Sequence, residues 1–192
     1  NCRAVGLDAA MGNVRSAMAQ ALSQVGESSS VVDSLCIGMA GAGRQEEQTQ
    51  VATWVSQHLQ IKRCSVVGDA PLVLAAACGS WPVERLRELE GVALISGTGS
   101  MAWGRGRTGD EQRCGGWGYL LGDEGSGYWL ACRGLQAACR AADGRSSPTD
   151  LLPVFMDRFE LNQASDLIGK VYGGAFDRRQ LAQLAPLVIQ SA

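Results

Sequence analysis

Three short glycine-rich segments carry the residue types best suited to chemistry. In the first, Ile95-Ser96-Gly97-Thr98-Gly99-Ser100, an apolar stretch runs into Gly-Thr-Gly and a second stretch follows. Two glycines allow a sharp turn that exposes backbone N–H groups, and Thr98 adds a hydroxyl. Such a turn can cradle phosphate oxygens. It is not a Walker loop, because no Gly-Lys-Ser/Thr follows and no helix begins there. An ordinary glycine-rich hairpin turn would share the spacing. The second segment runs from Cys114-Gly115-Gly116-Trp117-Gly118 to Gly122-Asp123-Glu124-Gly125-Ser126-Gly127. Glycines around Trp117 set an aromatic face beside bare backbone. A sugar suits that setting, since its C–H face packs on apolar surface while its hydroxyls bond to backbone. Asp123 precedes a helix, so a helix cap explains it equally well. The third is Gly68-Asp69-Ala70-Pro71, at a strand end entering a helix. Ligand groups gather at such ends in parallel sheets. A carboxylate there could accept a proton from an attacking hydroxyl. The alternative is an N-cap with Pro in the first turn.

Other features read as structural. Gly38-Met39-Ala40-Gly41-Ala42-Gly43 has the order G-x-x-G-x-G, not the dinucleotide-binding G-x-G-x-x-G. It is expected to let a strand end pass close to a ligand or to another domain. The single histidine, His58, excludes multi-histidine metal sites and leaves little room for a Ser-His-Asp triad. It falls beside an apolar helical set and reads as structural. Arg15, Arg85 and Arg87 read as solvated surface. The seven cysteines are odd in number, lack a C-x-x-C, and mostly fall in apolar stretches, where small buried thiols are expected. That usage suggests a reducing, cytoplasmic setting without a disulfide framework.

Positioning these groups requires a packed domain, and the composition allows one. The chain has 192 residues, 46% hydrophobic and 19% charged, with a net charge of −2. A basic nucleic-acid surface is therefore not expected, and no apolar run approaches the roughly 18 residues of a membrane span. Glycine, at 25 residues, is nearly twice its usual ~7% share and crowds between Gly91 and Gly127. Leu7, Met11, Val14, Met18, Leu22 and Val25 step at helical spacing and end at Gly26. Ser28-Ser29-Ser30 is a polar loop. Ser34 to Ala40 reads as a buried strand, Val51, Trp54, Val55 and Leu59 as a helix face, Arg63 to Val67 as a second strand, and Gly68 to Cys78 as the next helix. This alternation predicts a mainly parallel sheet with crossover helices. Trp81-Pro82 to Glu90 is polar and charged, which places a domain junction near it. Val92 to Ser96 then reads as a buried strand, Met101 to Arg107 as its partner, and Glu111 to Cys114 as a return strand after a turn at Thr108-Gly109-Asp110. Tyr128, Ala131, Leu135, Ala138 and Ala142 share one face of a long helix, and helical pattern continues from Asp150.

Gly38-Met39-Ala40-Gly41, Gly68-Asp69-Ala70, Leu94 to Ser100, and Gly115-Gly116-Trp117-Gly118 with Asp123-Glu124-Gly125-Ser126, in this order, resemble the BadF/BadG/BcrA/BcrD-type ATPase family and its N-acetylglucosamine kinase-like members. The family belongs to the actin–hexokinase–Hsp70 ATPase superfamily. The resemblance implies an α/β fold of two ribonuclease-H-like lobes, incomplete at both termini, with ATP and sugar in the cleft. Residues 1–88 would be part of the N-terminal lobe, and 89–192 part of the C-terminal lobe with a helical extension. Gly97, Thr98 and Gly99 would form the second phosphate-binding element, and Asp69 would be the general base. Ser100, Met101, Gly116, Trp117, Gly118 and Asp123 would line the sugar, with Asn1 as a further sugar contact. The reaction would carry the γ-phosphoryl of ATP, with Mg²⁺, to the 6-hydroxyl of N-acetylglucosamine or glucosamine, a transfer that depends mostly on positioning and charge neutralisation. No metal site built by the protein itself is implied.

The family's first phosphate loop, an acidic-Gly-Gly-Thr hairpin, would precede Asn1, and its adenosine-binding segment would follow Ala192. The chain alone is therefore expected not to turn over ATP. Its expected partner is a small-molecule amino sugar, with no nucleic acid or membrane and with room for a homodimer. Two other readings stay open within the superfamily. One is an ATPase activator of an acyl-CoA dehydratase or reductase, which would need cysteines for an iron–sulfur cluster. The other is a non-catalytic sugar-binding sensor, against which Asp69 argues.

Overall fold

A computed structural model of the chain describes residues 5–26, 32–77, 89–174 and 176–191. The expected loop at Ser28–Ser30, the charged junction before Leu89, and Asn1 with Cys2 lie outside them. The chain divides into two compact units, residues 1–91 and 92–192.

The first unit is built on a strand–helix–strand crossover. Helix α1 (Leu7–Gln24) precedes β1 (Val32–Gly38), α2 (Gln45–His58), β2 (Ile61–Val67) and α3 (Asp69–Ala77). β1 and β2 pair in parallel, from Val32 opposite Ile61 to Gly38 opposite Val67, which requires a crossover such as α2. Val51 and Val55, one turn apart on α2, are buried with Ala10 and Met11 of α1 and Ile37 of β1. Burying each valine, isoleucine or methionine of this set is worth roughly 1.5–3 kcal/mol. The α1 stripe is realised from Leu7 to Leu22, but Val25 lies past the last helical residue and is exposed. His58 stacks on Trp54 with centroids 4.3 Å apart, and its Nδ1 lies 2.9 Å from the Trp54 carbonyl oxygen. Arg15 is not idle surface: its guanidinium lies over the Trp54 ring and donates to the His58 carbonyl oxygen at 3.2 Å. That contact neutralises the C-terminal end of α2, where carbonyls lack helical partners.

The second unit layers helices beside a three-stranded sheet in the order β3 (Gly91–Ser96), β4 (Ser100–Arg105), β5 (Glu111–Gly115). β4 and β5 are antiparallel, Met101 opposite Gly115 and Arg105 opposite Glu111. The hairpin turns at Gly109, whose φ of 87° requires glycine. The helices are α4 (Gly127–Ala142), α5 (Leu151–Phe159), α6 (Asp166–Tyr172), α7 (Arg178–Ala182) and α8 (Ala185–Gln190). Their core joins Ala131, Leu135 and Ala138 of α4 to Phe155, Phe159, Leu167 and Leu184. α4 starts at Ser126, fully buried, whose Oγ accepts from the Trp129 N–H at 3.1 Å.

Two expectations about burial are corrected. β3 is not buried on both faces: Ala93 is buried, whereas Val92 and Leu94 are 73% and 72% exposed. Alternation, not the continuous apolar run, decides which side faces the core. The five described cysteines are not buried hydrophobes either. Cys36, Cys64 and Cys114 are exposed, and Cys132 and Cys139 are half-buried. Cys36 alternates with Leu35 and Ile37 and so falls on the opposite, open face of β1. All five are free thiols. Among the described residues no helix is long and apolar enough to cross a membrane.

Candidate functional site

In the second unit, the three-residue turn between β3 and β4 is stitched to the segment ahead of α4. Ser96 Oγ donates to the Gly125 carbonyl at 2.9 Å, and Ser100 Oγ donates to the Glu124 carbonyl at 2.7 Å. The Gly127 N–H donates to the Gly97 carbonyl at 2.7 Å. A loop from Gly116 to Gly122 closes beside them. The Trp117 N–H donates to the Gly122 carbonyl at 3.0 Å and the Gly122 N–H to the Gly118 carbonyl at 2.8 Å. Asp123, 7% exposed, fixes this loop, its Oδ1 accepting from the Gly118 N–H at 3.2 Å. Thus Gly97, Thr98, Gly99, Ser100, Met101, Gly116, Trp117, Gly118 and Asp123 come together in one patch. Asp123 is not the helix cap, because Ser126 takes that position.

The turn offers fewer free backbone donors than its sequence suggests. None of its residues has a left-handed φ, so glycine is not demanded at 97 and 99 by backbone conformation. At Gly99 the reason is space: a Cβ there would lie 2.9 Å from Asp123 Oδ2. The Gly97 N–H is already spent on the Gly99 carbonyl at 2.9 Å. Among the described residues, the N–H groups of Thr98 and Gly99 and the Thr98 hydroxyl have no partner. These three donors are what the turn can offer to an anion. Gly97 and Thr98 border an open depression of about 410 Å³, shared with Ser96, Gly127, Arg179 and Gln183. That combination of free backbone donors, a hydroxyl and an open hollow fits a phosphate tail.

Trp117 is 64% exposed, with the Arg113 guanidinium 5.8 Å from its ring centroid. Arg113 also donates to the Gly116 carbonyl at 3.2 Å. A side chain at Gly116 would meet Met101 Cβ at 3.0 Å, so bare backbone there lets the loop lie against β4. Asp123 keeps one carboxylate oxygen, Oδ2, outside its bond to Gly118. The patch therefore presents an aromatic face, bare peptide groups and a carboxylate oxygen.

Asp69 belongs to the first unit. It is the first residue of α3, directly after β2 and Gly68, and is half-buried. An N-cap aspartate accepts from the helix's first free N–H groups, yet among the described residues the Asp69 carboxylate has no hydrogen-bond partner. The ends of β1 and β2 lie together here: a Cβ at Gly68 would sit 3.7 Å from the Gly43 Cα, and the Met39 N–H donates to the Val67 carbonyl at 3.2 Å. Gly43 serves this packing, and Gly41, with φ 88°, turns the chain. At Gly38 the space a side chain would need is taken by Leu72 of α3, a helix of the same unit. Asn1 lies outside the described residues. Arg179 and Gln183 were missed from sequence. The only local signal near them is Asp177-x-x-Gln180, a capping box realised at the start of α7, which locates a helix but not its neighbour.

The mixed α/β chain has the actin-like ATPase fold of the solved structures it resembles. A solved structure of a proposed N-acetylglucosamine kinase from Chromobacterium violaceum superposes with a TM-score of 0.70 at 30% identity, covering 92% of this chain and 58% of that one. A second, from Porphyromonas gingivalis, gives a TM-score of 0.62 at 27% identity, with 88% and 56% coverage. The chain belongs to the BadF/BadG/BcrA/BcrD ATPase family, whose model matches residues 1–192. It is 32% identical over 169 residues to the N-acetylmuramic acid/N-acetylglucosamine kinase of Clostridium acetobutylicum, and 34% identical over 163 residues to the N-acetyl-D-glucosamine kinase of Dictyostelium discoideum. The chain spans about half the length of these relatives, 53% and 49%.

Proposed function

We propose that the chain supplies part of an ATP-dependent kinase that phosphorylates an amino sugar, N-acetylglucosamine or glucosamine, at its 6-hydroxyl. Residues 1–88 belong to its N-terminal lobe and 89–192 to its C-terminal lobe. The observation that carries this reading is the patch in the second unit, where donors at Thr98 and Gly99 that have no partner among the described residues lie on the same stitched frame as Trp117 and Asp123. Phosphate-binding and sugar-binding chemistry thus share one rigid scaffold. The matched relatives are named as kinases of such sugars, which favours this reading over the dehydratase activator and the sensor.

When bound, ATP with Mg²⁺ supplies the phosphoryl group and much of the charge neutralisation. The chain's own residues position and deprotonate. The Thr98 and Gly99 N–H groups and the Thr98 hydroxyl hold phosphate oxygens. Trp117 packs on the sugar's C–H face, Gly116 and Gly118 line it without side chains, and Asp123 Oδ2 accepts from one of its hydroxyls. Ser100 and Met101 shape the floor, Ser100 through its bond to Glu124. Asp69, without a hydrogen-bond partner among the described residues, accepts the proton of the 6-hydroxyl as that oxygen becomes the nucleophile. Asn1 adds a sugar contact. The work is done in the cytoplasm, where ATP and free thiols coexist.

The test is a coupled ADP-release assay of the full-length gene product with ATP, Mg²⁺ and a panel of amino sugars, N-acetylmuramic acid included. The expected result is turnover with N-acetylglucosamine or glucosamine and a 6-phosphate product. Sugar-independent ATP hydrolysis alone would overturn the reading.

A further inference from the structure

We infer that Arg179 is a binding residue for the nucleotide's polyphosphate tail, supplying the positive charge that the 97–99 turn lacks. The inference rests on the kinase reading and deepens it. The turn's donors at Thr98 and Gly99 are all neutral, whereas a polyphosphate carries several negative charges. The depression that Gly97 and Thr98 border is walled on another side by Arg179 and Gln183.

That wall is held in place. Gly127, the first residue of α4, is wedged between the turn and α7: a Cβ there would lie 3.2 Å from the Gly97 carbonyl oxygen and 3.0 Å from the Ala182 carbonyl oxygen. A reciprocal capping box fixes the start of α7. The Gln180 N–H donates to Asp177 Oδ1 at 2.7 Å, and the Asp177 N–H donates to Gln180 Oε1 at 2.8 Å. Among the described residues the Arg179 guanidinium has no ion pair, hydrogen bond or ring partner. Its neighbour Arg178 is committed elsewhere, 5.3 Å from the Tyr119 ring centroid. A guanidinium with its donors free matches two oxygens of one phosphate group as a fork. An ammonium would meet them only as a point charge.

Adjacent arginines with different commitments give the experiment its control. Steady-state kinetics of the full-length gene product are compared for R179A, R179K, R178A and T98A, with circular dichroism to confirm folding. R179A is expected to raise the KM for ATP about tenfold, the loss of one charge-assisted contact, while the KM for the sugar stays within about twofold. R179K recovers part of that loss, R178A leaves the KM for ATP unchanged, and the salt dependence of ATP affinity weakens in R179A. An unchanged KM for ATP in R179A, with T98A impaired, overturns the role of Arg179 and leaves the kinase reading standing. Equal rises in both KM values mark Arg179 as merely structural and overturn it too. If neither R179A nor T98A alters the KM for ATP, the nucleotide site itself is misplaced and both readings fall.

Discussion

The strand end around Asp69 and the turn around Gly97–Gly99 treat their polar groups in opposite ways. In the second unit nearly every hydroxyl and carboxylate of the patch holds the frame: Ser96 and Ser100 donate to Gly125 and Glu124, Asp123 accepts from Gly118, and Ser126 caps α4. In the first unit, Asp69 stands at a helix start and binds nothing among the described residues. A group that holds shape cannot easily change protonation or partner, and one without a partner can. Under the proposed function, this contrast matches a second unit that positions and a first unit that supplies the base.

Asp69→Asn attacks the chemical side of the contrast and carries the largest expected effect. It keeps the side chain's size but cannot take a proton. In the full-length gene product kcat should fall by roughly 10²–10⁴, the usual worth of a general base, while amino-sugar affinity measured by calorimetry is retained. Unchanged kcat would reduce Asp69 to a surface residue of α3.

Gly99→Ala attacks the frame. The added methyl would meet Asp123 Oδ2 at 2.9 Å, and forced overpacking of this kind costs about 1–3 kcal/mol. Thermal unfolding should fall accordingly, and ATP affinity with it. Pairing it with Asp123→Ala should recover part of the stability, because the obstruction is removed. No recovery would show that the methyl clashes elsewhere.

Ser126→Ala is a smaller probe. Loss of the cap to Trp129 should cost about 1 kcal/mol, visible as a lower denaturation midpoint without change in slope. A neutral result would mean that Asp123 or water takes over the cap.

The smallest effect concerns Tyr128, near the start of α4. Burial pushes its hydroxyl up to about 12, helped by a hydrogen bond with Cys132 and by Tyr119, with Arg178 pulling the other way. The folded value lies above the unfolded 10.0. Its contribution to stability is therefore complete below about pH 10 and is lost as pH rises through about 12. An absorbance titration should show one of the three tyrosines ionising late. Ionisation of all three together near the ordinary value would contradict this packing.

Much of the architecture was legible in the sequence, because helical stripes and short apolar runs record burial one element at a time. The α1 stripe from Leu7, the β1–α2–β2 crossover and the β4–β5 hairpin follow from such local patterns. What the pattern hides is contact between distant segments. Gly99 looked like a conformational glycine, and its reason is Asp123. At Gly38 nothing in the local pattern points to Leu72, the side chain that fills the space beside it. Val92 and Leu94 looked buried in an apolar run, and alternation left them exposed. For the site, the patch from Gly97 to Asp123 could be named because its glycines cluster in sequence. Arg179 could not, since only the fold of α7 against Gly127 brings it to the turn.

The most direct measurement is ¹H–¹⁵N NMR of the protein during titration with Mg·ATP. If the turn grips phosphate oxygens, the Thr98 and Gly99 amide signals shift markedly and saturably, while that of Gly97, already bonded to the Gly99 carbonyl, moves least. Shifts confined to other residues, with the 98–99 amides unmoved at saturation, would contradict the assignment of this turn to the nucleotide.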